Sequence, residues 1–503
     1  MSVSTPPAHH QSTFTVRLAL GLVGVLIVAL ISGINDRVTD IAMADIRGVY
    51  GLSHDGASWL SSVYAAAEVS AMLLAPWLSV TFSLRRFALM ATLAFTFLAL
   101  IFPLFTSLHG LIVMRTLQGL AGGFLPPLLM TAALRFLPWN AKLYGLSAYA
   151  LTATFGPNIA MSMAALWSEI GDWHLVFWVI IPIGFIGAGL VAFGLPQDPL
   201  QLERFSRLDW RGVILGCGSI TMLTLALTQG ERLDWLNSPL ICWLLTGALV
   251  GFPLFLINEW FHPLPLLKLQ LLARRNFAFG NITLALFLFV ALAGGAIPAT
   301  YLTEIQGYRP LEIAPTALCI ALPQLVIAPF VAFVINRNWV DSRYVMGLGL
   351  FLLAIACFGG SLLTSEWNRD NFYALQCLHT LGQPMIVVPL LMNATGVIHP
   401  MEGPFASAMV NSVRGFAAVT ASSFLENLIT HRERFHSHVL LDNIGNNVTI
   451  PSQQAAETLS EAVRAQAFVL SFSDAFLALL GVIAVLYVVL FTWPKRAFPP
   501  QPH

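Results

Sequence analysis

The segment LPPLLMTAALRFLP (residues 125–138) returns 262 residues later as VVPLLMNATGVIHP (387–400). A Pro-Leu-Leu-Met run, an alanine and the closing proline are kept. The surroundings repeat as well: the charged stretch SLRRF (83–87) precedes the first copy as DSRY (341–344) precedes the second. An apolar chain produces single echoes by chance, but agreement of echo, loop charge and spacing favours a duplicated unit. The composition says what kind of unit it is.

The chain has 503 residues, 57% hydrophobic and only 10% charged, with a mean hydropathy of +0.76. Soluble domains are about a quarter charged, so this chain lacks the polar surface to cover a globule in water. Apolar runs of about twenty residues recur throughout, each long enough to cross a hydrocarbon core of roughly 30 Å. Backbone amides in lipid must bond within their own segment, and without period-2 alternation the runs read as helices. Fourteen spans are expected, near 17–42, 58–82, 87–106, 110–136, 144–167, 175–195, 211–229, 238–257, 277–303, 313–335, 344–364, 372–397, 405–429 and 471–493. The expectation is an all-α membrane protein of two six-helix bundles (17–200 and 263–493), with two extra helices inserted in 201–262. Tails at 1–16 and 494–503 and an outer loop at 431–470 complete it. Parallel repeats of this kind are typical of secondary transporters, whose site lies between the halves near the midplane.

Basic residues sort with this topology. Arg85, Arg86, Lys142, Arg204, Arg207, Arg211, Lys268, Arg274, Arg275, Arg337, Arg343, Lys495 and Arg496 fall in or beside one set of loops. The other set carries mainly Arg232, Arg309, Arg369, Arg432, Arg434 and Arg464. The positive-inside rule then places both termini in the cytoplasm. The first apolar run is too long for a signal-peptide core and reads as an uncleaved span.

Other classes are disfavoured. Net charge is zero, so nothing points to nucleic acid. None of the three lysines, Lys142, Lys268 and Lys495, lies in a phosphate-binding loop, which argues against direct coupling to ATP. No HExxH or GxSxG motif suggests an enzyme, and no cofactor is expected. The five cysteines lie in apolar runs without paired spacing and read as free thiols. His431, His436 and His438 read as part of a solvated loop rather than a metal site.

Ionisable residues inside a span cost roughly 2.5–3.5 kcal/mol each and are functional candidates by default. Glu68, in SSVYAAAEVSAML, is the deepest carboxylate, about ten residues from either end of span two. Desolvation disfavours its charged form. It reads either as a carboxyl poised for proton coupling or as a permanently protonated core residue. The stretch GINDRVTDIAMAD (33–45) puts Asp36 and Asp40 on one face of span one, with Arg37 placed to pair with Asp40 at i,i+3. Those charges belong either to a solvated helix end or to an outward cavity. Arg115, in VMRTLQGLAGGF, needs a partner from another span, with Glu68 and the span-one aspartates available. Arg414, in VNSVRGFAAVTASS, is similarly isolated. For both arginines, capping by backbone carbonyls is the alternative. Small-residue faces at GLAGG (119–123), FGPN (155–158) and ALAGGA (291–296) allow close helix approach.

On these residues the sequence resembles the fourteen-span drug:proton antiporters of the major facilitator superfamily, the EmrB/QacA-like exporters. RTLQGLAGG resembles their span-four signature through Arg115, Gln118, Gly119 and Gly123, and FGPN their span-five antiporter signature through Gly156 and Pro157. NSVRGFAAV, with Asn411 and Arg414, resembles their span thirteen, and the basic pair Arg85 and Arg86 their second-to-third loop. That loop otherwise departs, with Pro76 and Val80 where the family carries glycine and often aspartate. Ala160 and Met161 replace paired glycines after Pro157. The resemblance implies proton-driven export of small amphipathic compounds across a bacterial inner membrane. Glu68, Asp36, Asp40 and Arg115 would carry the coupling, with a periplasmic adaptor and outer-membrane channel as partners. A dedicated exporter of one metabolite, such as a siderophore or organic acid, is the nearest alternative. A membrane enzyme or sensor is further off.

Overall fold

The computed structural model describes residues 15–170, 174–337, 339–445 and 453–493. Helix starts follow local side-chain chemistry. Thr15 Oγ1 accepts the Leu18 amide at 3.3 Å and opens α1 (Val16–Ile41). After α2 (Met43–Tyr50), Gly51 turns the chain at φ 62°, and Ser53 Oγ caps α3 (His54–Phe82) through the Gly56 amide. Ser83, at φ 74° and ψ 134°, takes a conformation that ordinarily needs glycine, and starts α4 (Leu84–Ile101). The proline pair 126–127 splits the next span into α5 (Leu108–Gly123) and α6 (Leu125–Phe136). The N-terminal half ends with α7 (Trp139–Ile170), α8 (Leu175–Trp178) and α9 (Ile180–Gly194).

Two helices follow, α10 (Trp210–Gln229) and α11 (Pro239–Phe261). Their near ends are tied together: Asn258 Nδ2 donates to Asp209, and Glu259 Oε2 accepts the Leu267 amide at 2.9 Å. Helix α10 packs along α3, with Ser70 and Thr221 hydroxyls 2.9 Å apart, while α11 touches chiefly α10 and leaves most of its surface exposed. The second half contains α12 (Arg275–Ala291), α13 (Ala296–Glu304), α14 (Pro310–Ile335), α15 (Ser342–Ser361), α16 (Arg369–Gly396), α17 (Gly403–Gly445) and α18 (Gln453–Phe491). The ALAGGA stretch forms the break between α12 and α13.

Among the described residues, twelve helical segments are long and apolar enough to cross a membrane. They match twelve of the fourteen expected spans. The other two, α7 and α17, are long enough but more polar. The reason is where they pack: α7 lies against α14 and α16 of the other half, and α17 against α3 and α6. A helix buried at a polar interface between halves needs less apolar surface than one facing lipid.

One expectation differs. Residues 431–445 and 453–470, read as outer loop, are helical and extend α17 and α18. At 1.5 Å per residue these helices run about 65 and about 59 Å, twice the hydrocarbon thickness. The stretch is charged, but it has neither proline nor glycine before Gly445, so nothing stops the helix. Its histidines therefore stand on a helix, and His436 Nε2 contacts Asp474 Oδ2 of α18 at 2.7 Å. Residues 1–14, 446–452 and 494–503, with Lys495 and Arg496, lie outside the described residues.

The ends of the helices define two faces. The starts of α1, α4, α7, α10, α12, α15 and α17 form the first face. There Asp198 pairs with Arg135 at 2.8 Å while its amide donates to Ser83 Oγ, joining α6, α4 and the chain leaving α9. In the other half Glu402 holds both Lys268 and Arg274 at 2.6 Å. Burial works to raise the Glu402 carboxyl, but hydrogen bonds and charge from Lys268 and Arg274 outweigh it and hold it below its usual range.

Candidate functional site

Close approach of α3 and α5 builds the charged centre. A Cβ at Gly119 would stand 2.5 Å from the Tyr64 carbonyl, and one at Gly122 2.7 Å from Ser32 Oγ. One at Gly123 would meet the backbone of Glu68 itself. The glycines of the span-four signature thus let α5 seat directly on the turn that carries Glu68.

Arg115 is completely buried in this contact. Its Nη1 donates to Gln118 Oε1 at 3.0 Å, and its Nη2 lies 3.7 Å from Asp36 Oδ1. The guanidinium stands 4.0 Å from the centre of the Tyr64 ring, a cation–π geometry suited to a desolvated arginine. Among the described residues its Nε and Nη2 have no hydrogen-bond acceptor. Of the partners open to Arg115 from sequence, Asp36 is the one in ion-pair range. Asp40 takes the Ser61 hydroxyl at 2.6 Å instead of the expected Arg37. Asn35, one residue before Asp36, is buried with neither side-chain atom partnered.

Glu68 is partly exposed and has no ion pair among the described residues. Arg414, Arg37, Arg115 and Asp40 all lie within electrostatic reach. Its nearest element from the other half is α17, where Gly415 meets Val69 and Met72. Arg414 Nη1 donates to Thr152 Oγ1 of α7 at 2.6 Å, and Asn411 Oδ1 accepts from Tyr149 at 2.9 Å. Both residues named from span thirteen therefore bind the opposite half, and the carbonyl-capping alternative does not describe Arg414.

The remaining motif residues are placed differently. Gly156 meets only Leu30, at 3.8 Å, so it is not a tight contact, and Pro157 sits within an unbroken α7. Arg85 and Arg86 lie at the first face, away from this cluster.

Charge reasoning missed a second group. Gln324 of α14 and Gln376, His379 and Gln383 of α16 are all buried. Gln324 Nε2 donates to Gln383 Oε1 at 2.9 Å, and the ring of His379 borders Gly294 in the α12–α13 break. Gln376 Oε1 and His379 Nδ1 lack partners among the described residues. The signal was present in sequence as polar residues at i, i+3 and i+7 along α16. The first half thus gathers several charges at its centre, while the second adds Arg414 and a group of uncharged donors and acceptors.

Ionisable groups buried inside a helical membrane bundle mark substrate and ion pathways or proton relays, and a site between two halves near the midplane is typical of secondary transporters. The family model described as Major Facilitator Superfamily matches residues 25–422. The chain belongs to the major facilitator superfamily. An uncharacterised MFS-type transporter of Mycobacterium tuberculosis, Rv1250, is 27% identical over 93% of this chain and 81% of its own length. The multidrug export protein EmrB of Escherichia coli K12 is 22% identical over 90% and 91%. The fatty acid resistance protein FarB of Neisseria gonorrhoeae is 22% identical over 98% of both chains. Among solved superfamily structures, the proton:xylose symporter XylE aligns with a TM-score of 0.57 at 11% identity, covering 95% of this chain and 96% of its own.

Proposed function

We propose that this superfamily member is a proton-coupled antiporter that exports small amphipathic compounds by alternating access. It crosses a bacterial inner membrane fourteen times with both termini cytoplasmic, which makes the first face the cytoplasmic one. The carrying observation is the central cluster: a fully buried Arg115 against Asp36, with Glu68 beside it between the halves. Protonation of Glu68 from outside would remove one negative charge from a group that also holds Asp36 and Asp40. Arg115 would favour the deprotonated state of that group, so the proton is released when the cluster faces the cytoplasm. One proton moving inward down 100 mV supplies roughly 2.3 kcal/mol before any pH difference. The driving force is the proton gradient, with no cofactor.

The similarity to the multidrug export protein EmrB and the fatty acid resistance protein FarB supports the substrate class. Export through a periplasmic adaptor and outer-membrane channel belongs to the same reading. The test uses inverted vesicles with an imposed proton gradient and a pH-sensitive dye, adding lipophilic cations, phenols and organic acids in turn. Wild type is expected to dissipate the gradient with one compound class, and Glu68→Gln is expected to lose that response. Undiminished gradient-driven transport in Glu68→Gln would remove Glu68 from the mechanism.

A further inference from the structure

Two of the hydrogen bonds between the halves, Tyr149–Asn411 and Thr152–Arg414, share a property that goes beyond closing a gap. Tyr149 and Asn411 are 262 residues apart, and so are Thr152 and Arg414. That is the offset of the sequence repeat. Each bond therefore joins equivalent positions of the two halves, and equivalent positions touch only where the axis relating the halves passes between them. Nearer the first face, Ser407 Oγ donates to the Pro127 carbonyl at 2.8 Å, and Leu134 lines the start of α17 at Gly403. The halves are thus joined on the axis, on the first-face side of Glu68.

Resting on the function proposed above, we infer that Arg414 is the positioning residue through which the charge of Glu68 sets this closure. It belongs to the second half and reaches across the axis to Thr152. The adjacent Gly415 seats α17 on Val69 and Met72, beside Glu68 of the first half. An anionic Glu68 attracts Arg414 and draws α17 onto the first half; a protonated Glu68 does not. Proton binding therefore loosens the first face, and proton loss favours its closure, the order that antiport requires.

The groups that bear on Glu68 come from several elements: Asp36, Arg37 and Asp40 of α1, Tyr64 of its own helix, Arg115 of α5 and Arg414 of α17. Tyr149 of α7 lies under the Arg414 guanidinium, 5.4 Å from ring centre to carbon. On α10 the facing titratable group is Cys217, at Ser70. Among these, Arg414 is the cation from the opposite half, so its attraction to Glu68 changes with the separation of the halves.

The experiment measures that separation directly. Spin labels at Leu200→Cys and Met401→Cys, exposed first-face sites in opposite halves, are followed by pulsed electron resonance in lipid, with the five native cysteines replaced by serine. The long-distance population of the reference protein is expected to rise about threefold or more between about pH 8 and about pH 5.5. Glu68→Gln at the higher pH should resemble the reference at the lower one. Arg414→Gln should lose the pH response, and Arg414→Lys should keep it. Thr152→Val, a nearly isosteric change, should raise the open population at both pH values, which keeps the test usable if Arg414→Gln fails to fold. A full pH response in Arg414→Gln, or no opening in Thr152→Val, overturns the inference. If transport still requires Glu68 in that case, the proposed function survives; if it does not, that reading falls separately.

Discussion

Replacing Gly123 by alanine tests the claim that the span-four glycines position Glu68. A Cβ at this position would lie 2.8 Å from the Glu68 Cα and 2.9 Å from the Ala71 Cβ, with backbone oxygen closer still. Carbon atoms rest at about 3.5–4.0 Å, so α3 has to retreat by roughly 1 Å. Two of the obstructing atoms are backbone and cannot rotate away. Over-packing of this kind costs about 1–3 kcal/mol. Misplacing a working group by about 1 Å costs on the order of a hundredfold in rate. The assay pairs thermal unfolding of the detergent-solubilised protein with initial transport rates in vesicles. Gly189→Ala is the control, because nothing lies within 4 Å of a Cβ there. Gly123→Ala is expected to melt several degrees lower than Gly189→Ala and to transport far more slowly at equal membrane abundance. Equal melting and equal transport in the two variants would refute the close-contact argument.

Three further outcomes follow from other sites. Ser83→Gly and Ser83→Ala both give up the Oγ that accepts the Asp198 amide, but only glycine relieves the positive φ, so Ser83→Gly should be more stable than Ser83→Ala by about 1 kcal/mol, read as a higher melting temperature. Asp36→Asn should cost about 1.5–3 kcal/mol by leaving the buried Arg115 without its counter-charge, and more than Asp40→Asn; equal unfolding midpoints would contradict the geometry. Glu402 contributes stability above its unfolded-state value, because its folded carboxyl is held low, and this is lost as pH falls through the folded value. The melting temperature of the wild type should therefore drop more steeply on acidification than that of Glu402→Gln.

Much of the architecture was readable because lipid imposes one rule on every span. Even α7 and α17, more polar than the other spans, were placed by their flanking punctuation, although α17 runs on to Gly445, past the expected end at 429. The hairpin of α17 and α18 was missed because charge was read as loop, although HRERFHSHVLL contains no helix breaker. Candidate residues chosen for their insertion cost led to Glu68, Asp36, Arg115 and Arg414. The same filter passed over Gln324, Gln376, His379 and Gln383, whose neutral side chains cost less to bury. Which carboxylate faces Arg115 depends on how α1 is rotated against α5, and no local pattern encodes that rotation.

The bonds on the axis also bear on how such a chain can arise. In two identical fused copies, every residue on the axis meets itself. An arginine there would face an arginine, and an asparagine an asparagine. Arg414 opposite Thr152 and Asn411 opposite Tyr149 are pairs that work only because the copies differ. Divergence of the copies at these two positions spares Arg414 a like-charged partner on the axis.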